Sequence, residues 1–147
     1  MPDDRTRIDR RPTLVAAAAR HLVDTAVAEA EAASLSVTVV AVDESGVLVA
    51  MLRMDGAPLV SVQTAINKAY AAAATGMPPD DFYAAIEPDG AAVAEFATRP
   101  GLALIAGGLP VKSEGRVAGA IGVAGAMTAA EDRRIAEAAI TPAMGGA

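Results

Sequence analysis

The sequence predicts an α+β domain, one five-stranded antiparallel sheet with helices packed on it. Three observations carry that prediction. The chain has 147 residues, enough for one core and too few for two. Apolar residues recur at helical spacing near both ends and in the middle of the chain, while five short stretches read as strands. The resulting order, αββα, short helices, βββα, describes two antiparallel meanders joined by a helical crossover.

Pro12-Thr13 reads as a helix start with Thr13 as N-cap, and the helix runs from Leu14 to about Ala33. Val15, Ala19, Leu22 and Ala26 share one face, opposite Arg20, Asp24 and Glu31. Ser36–Asp43 (SVTVVAVD) is β-branched, Asp43–Gly46 is turn chemistry, and Val47–Met54 (VLVAMLRM) completes a hairpin. Both faces of that second strand are apolar except at Arg53, which predicts cover on both sides. A helix spans Leu59–Thr75 and stops at Gly76 and Pro78. Asp80–Ile86 and Ala91–Ala97 are short helices. Leu102–Ile105, Leu109–Lys112 and Arg116–Val123 are three further strands, the last two joined by the turn Ser113–Gly115. Thr128 to Glu131 forms a capping box that opens a final helix to about Ile140. The domain is expected over residues 13–141, between a disordered arm (1–12) and a disordered tail (142–147).

Composition excludes several classes of function. Hydrophobic residues make up 53% of the chain and aromatic residues only 3%. Much of the apolar content is alanine, which removes little area per residue, so burial between copies is expected and a homo-oligomer with it. The net charge of −6 and the absence of a basic stripe argue against nucleic acid. With no cysteine there are no disulfides, thiolate metal sites or cysteine nucleophiles, and one histidine cannot build a usual zinc site, so no metal is expected. Leu102–Val111 and Val117–Met127 are too short and too broken by Gly and Pro to span a bilayer. No signal peptide is visible, which fits a cytoplasmic protein. Ten arginines against two lysines, with the alanine bias, point to a GC-rich bacterial genome.

Five segments in this order carry a resemblance: VVAVDESGVLVAMLRMDGAPLVS (Val39–Ser61), NKAYAAA (Asn67–Ala73), GGLPV (Gly107–Val111), EGRVAGAIGVAGA (Glu114–Ala126) and AAEDRRIAEAA (Ala129–Ala139). Over about Thr13 to Thr141 the chain resembles the GlcG/HbpS family, also seen as the C-terminal domain of PduO-type proteins. The resemblance implies a profilin-like antiparallel sheet flanked by helices, homo-oligomers, and in some members the binding of haem or other tetrapyrroles. One departure is Ala124, where family members often carry serine.

Lys68 is the first candidate for chemistry. It sits among the small residues Ser61, Ala65, Ala72 and Thr75 and is one of only two lysines. It could anchor a carboxylate or transfer a proton, or it could be a surface lysine lying over alanines. Arg53 and Asp55 flank a strand end: a fork for a carboxylate with a pairing acid, or simply a turn. Gly107 and Gly108 could bring backbone amides to an anion, or allow close packing. The resemblance keeps a role open for Asp132, as a proton acceptor facing Lys68 across an interface. His21 could ligate haem, or lie wet at a helix boundary. Two functions follow. One is a small-molecule-binding protein holding haem, another tetrapyrrole or a small metabolite. The alternative is a cofactor-independent enzyme acting on a small carboxylate or carbonyl compound, with Lys68 and Arg53 holding the substrate and Asp55 or Asp132 as base. In both, Lys68, Arg53, Asp55 and the Gly107-Gly108 turn are expected to share one concavity, with Ser61 beside them.

Overall fold

The computed structural model describes residues 3–144, with side chains described through residue 140. The helices are α1 (Ala16–Ala32), α2 (Val60–Thr75), α3 (Pro79–Ile86), α4 (Gly90–Ala97) and α5 (Ala129–Met144). The strands are β1 (Thr38–Asp43), β2 (Leu48–Arg53), β3 (Gly108–Ser113) and β4 (Arg116–Ala124). They form one antiparallel sheet in the order β2-β1-β4-β3. β1 and β4 are central and almost wholly buried, as their β-branched and alanine-rich sequences require.

The sheet separates two apolar layers. On one face Leu22, Val39, Ile121 and Ile135 join α1, α5 and the sheet. On the other, Val40, Val42 and Ala120 meet Ala65, Ala69 and Ala72 of α2. The second layer is thin because its side chains are small, and α2 comes down almost onto the strands. A Cβ at Gly122 would strike the carbonyl oxygen of Ala65 and lie 2.7 Å from the Ala69 nitrogen. Glycine in β4 therefore fixes the height of α2 above the sheet.

Several sequence expectations are corrected. The sheet has four strands rather than five: Leu102–Ile105 enters no ladder. Along the free edge of β3, Pro110 offers no N–H to a further strand. The segment instead returns the chain from α4 to Gly107. Thr13 does not cap α1, because the Leu14 N–H is donated to Ala118 O at 2.8 Å and the helix starts two residues later. Val15 is consequently exposed. β2 is not covered on both faces: Val49, Ala50 and Met54 pack toward the α1 layer, while Leu48 and Met51 remain in the open. The expected tail is helical over 142–144, and its remainder lies outside the described residues. The arm from Asp3 to Arg11 is exposed and carries a short 3-10 turn at Asp4–Thr6.

Gly122→Ala is expected to destabilise the fold by about 2–3 kcal/mol, because only backbone can yield to the new methyl. Gly90→Ala, with open space around the added Cβ, should change stability by less than about 0.5 kcal/mol. Thermal melts of the two variants against the parent check this: Gly122→Ala should melt roughly 6–12 °C lower.

Candidate functional site

The site grows from α2. Its small residues leave a channel for the long stem of Lys68, which is 1% exposed. The ammonium at the end of that stem donates to Asp132 Oδ2 at 2.9 Å and to the Val123 carbonyl oxygen at 3.0 Å. Asp132 is 4% exposed, and its second oxygen accepts from the Ala126 N–H at 3.0 Å. One carboxylate thus clamps α2 below and the β4–α5 loop (residues 125–128) beside it. Thr128 caps α5 by accepting from the Glu131 N–H at 3.2 Å, which places Asp132 on the first helical turn. The capping box read from the sequence is present in this half.

Glycine makes the pair sterically possible. Gly107 has φ +129°, and a Cβ there would lie 2.7 Å from Lys68 Nζ, 2.5 Å from Val123 O and 3.0 Å from Asp132 Cβ. Gly108 lies equally close to the carbonyl group of Lys68. Both glycines make room for Lys68.

Above the pair opens a cleft of about 250 Å³. Lys68, Asp132 and Ser61 form its buried floor, Thr64 and Thr128 line it, and Val60, Ile105 and Met127 stand exposed at its rim. Ser61 Oγ lies 2.8 Å from Thr38 Oγ1 and donates to Pro58 O at 2.6 Å. Ala124 also lines the cleft, with a methyl as its side chain. An ammonium has three N–H donors, and two of those of Lys68 have acceptors among the described residues. The floor therefore pairs one cation with one anion and keeps one donor in hand.

The other candidates lie elsewhere. Arg53 donates through Nε and Nη2 to Ala57 O at 3.1 and 2.8 Å, closing the turn after β2. Arg53 and Asp55 line a separate concavity of about 370 Å³ with Val27, Glu31, Leu52 and Met54. No ion pair joins Asp55 to Arg53 or Lys68 among the described residues. The expectation of one shared concavity is corrected on this point: β2 is an edge strand, and its end does not reach the α2 cleft. Asp132 faces Lys68 within one chain rather than across an interface. His21 is exposed on α1, on the opposite face of the sheet from α2. Sequence reasoning missed Thr38, Thr64, Thr128, Ile105 and Met127. Ser61, Thr64 and Lys68 share a helical face by spacing, which was a usable signal for Thr64; the others come from segments that only the tertiary fold assembles.

Residues 14–141 match the family described as haem degrading protein, HbpS-like. A 15.0 kDa protein of the dhaT–dhaS intergenic region of Citrobacter freundii is 32% identical over 129 residues, 87% of this chain and 90% of that protein. The crystal structure of a double mutant of HbpS from Streptomyces reticuli superposes with a TM-score of 0.84 at 30% identity, covering 92% of this chain and 90% of the other. The structure of a PduOC:haem complex superposes with a TM-score of 0.79 at 26% identity, covering 90% and 96%.

A haem would require a cavity of its own size and an axial donor. Enclosed cofactor pockets occupy roughly 300–1,000 Å³, more than this cleft. His21 lies away from the cleft, and the one sulfur at its rim, that of Met127, sits on a residue that is 87% exposed. The α2 cleft of a single protomer does not fit a haem as an enclosed, axially ligated group.

Removing one partner of a buried pair strands the other. Lys68→Met and Asp132→Leu are each expected to cost about 3–5 kcal/mol, while the double variant should lose much less than their sum. Denaturant melts of the four proteins measure the coupling; strict additivity would contradict the clamp.

Proposed function

The chain belongs to the HbpS-like family, and from that premise we propose that it is a small-molecule-binding protein whose ligand sits in the cleft above Lys68 and Asp132. The observation that carries this reading is the spare donor of a buried ammonium at the floor of an open, apolar-rimmed cleft. The ligand class it fits is a compact organic molecule carrying a carboxylate or carbonyl group. The oxygen would accept from Lys68, with the Ser61 hydroxyl and the first turn of α5 nearby, and the apolar body would rest against Val60, Ile105 and Met127. Because Asp132 already neutralises Lys68, the attraction is a directed hydrogen bond rather than a net-charge effect. Both oxygens of Asp132 are engaged, which supports holding a ligand over abstracting its proton.

Melting the protein with a panel of short 2-oxo and 2-hydroxy acids tests the reading. At a hundredfold excess over Kd, binding adds about 2.7 kcal/mol, a rise of several degrees. The Lys68→Met/Asp132→Leu double variant should fold and show no rise. An equal rise in that variant would remove the anchoring role of Lys68.

Haem or another tetrapyrrole is the second reading. It is favoured by the likeness to the PduOC:haem complex and by the exposed apolar rim. In this reading the rim and the cleft hold only the edge of the macrocycle, and a neighbouring copy covers the rest. A haemin titration should then give a Soret shift that is unchanged in His21→Ala and lost in Met127→Asp. A flat titration with the parent protein would sink it.

A further inference from the structure

The hydrogen bonds around Ser61 fix the direction of its proton. Ser61 Oγ lies 2.6 Å from the Pro58 carbonyl oxygen and 2.8 Å from Thr38 Oγ1. A carbonyl oxygen has no hydrogen to give, so at that distance the Ser61 hydroxyl supplies the one between them. A serine hydroxyl carries a single hydrogen. The contact with Thr38 therefore runs the other way, with Thr38 Oγ1 donating and Ser61 Oγ accepting. Thr38 is fully buried and Ser61 is 2% exposed, so neither hydroxyl turns freely toward solvent. What Ser61 keeps for the cleft is one oxygen lone pair and no hydrogen. Thr64, on the same wall, spends its hydroxyl hydrogen on Val60 O at 2.8 Å.

The groups opposite are of the other sense. Lys68 has an N–H left after Val123 O and Asp132. Thr128 accepts from the Glu131 N–H, and its own hydroxyl hydrogen has no partner among the described residues. Ala129, also lining the cleft, opens α5, where the first N–H groups have no partner within the helix. One wall of the cleft thus offers lone pairs and the other offers hydrogens. The sheet sets the distance between them. Lys68 Nζ is held at Val123 O, Ser61 Oγ is held at Thr38, and Thr38 pairs with Ala124, the residue after Val123. Spare donor and spare acceptor therefore stand over neighbouring positions of the sheet, within reach of one small molecule.

We infer that the cleft selects a ligand with a hydroxyl group close to its carboxylate or carbonyl oxygen, the oxygen accepting from Lys68 and the hydroxyl donating to Ser61 Oγ. This rests on the reading of the cleft as a binding site and narrows its ligand class to hydroxy acids and hydroxycarbonyl compounds. An oxo acid of the same shape sets a carbonyl lone pair against that of Ser61, with no hydrogen between them. Desolvating two acceptors face to face is the costly case, and it separates two molecules that differ by two hydrogens. Ser61 is then the specificity-determining residue. Thr38 is a positioning residue that holds Ser61 Oγ from the sheet side.

Isothermal titration of the full chain with two matched pairs tests this: 2-hydroxybutyrate against 2-oxobutyrate, and 3-hydroxybutyrate against acetoacetate. In at least one pair the hydroxy acid should bind about tenfold tighter or more. Ser61→Ala should bring that ratio to within about threefold of one, chiefly by weakening the hydroxy acid. The Thr38→Val/Ser61→Ala double variant should do the same. It strands no buried hydroxyl, and Pro58 O keeps the backbone N–H of residue 61 at 2.9 Å, so it serves where the single variant is unstable. Equal binding within both pairs, or tighter binding of the oxo acids, overturns the inference and leaves the cleft a binding site anchored by Lys68. A preference that survives in both Ser61 variants overturns it as well. Binding of none of the four acids removes the reading of the cleft, and this inference with it.

Discussion

The buried contact between Lys68 and Asp132 is the constraint around which the rest of the structure is arranged. Two charges removed from water are costly, and a well-packed apolar pair of the same volume is often at least as stable. What the ion pair adds is position. It ties the middle of α2 to the end of β4 through Val123 O, to the β4–α5 loop through Ala126, and to the first turn of α5. Two stretches far apart in sequence, α2 and the run from the end of β4 into α5, meet at one ammonium, and the cleft is the space their meeting leaves.

The neighbouring chemistry follows from that contact. Small residues on α2 and glycines in the strands bring the helix close enough for the stem of Lys68 to reach through. Gly107 adopts a backbone conformation that residues with a side chain rarely take, and a Cβ there would also crowd the ammonium at 2.7 Å. A second cluster holds α3 against α5: Arg133 meets Asp80 at 2.6 Å, Asp81 at 3.0 Å and Glu137 at 2.7 Å. Hydrogen bonds to Glu137, Asp81 and Asp80 raise its already high pKa further. The base of the α3–α4 hairpin is fastened in this way, although Pro79 is its one buried residue among the two helices.

An alanine-rich core has a further consequence. The α2 layer buries methyl groups rather than large side chains, so little apolar area is removed per residue. Much of the larger apolar side-chain content stands outside instead, around the cleft and along β2. Cleft rim and strand edge are two results of the same composition.

Residue pattern alone determined the helices and the hairpins, because periodicity, Gly76, the Asp43–Gly46 turn and the Thr128 cap are local and each is written in a few adjacent residues. It also picked out Lys68, from its setting among small residues, and the resemblance added Asp132. Tertiary structure alone decided that these two touch, since 64 residues separate them and no local rule links a mid-helix lysine to a distant helix start. It likewise decided that Arg53 and Asp55 belong to another concavity, and that Leu102–Ile105 is no strand. An apolar run becomes a strand only when a partner offers its N–H and C=O groups, and which edges are free is a property of the assembled sheet.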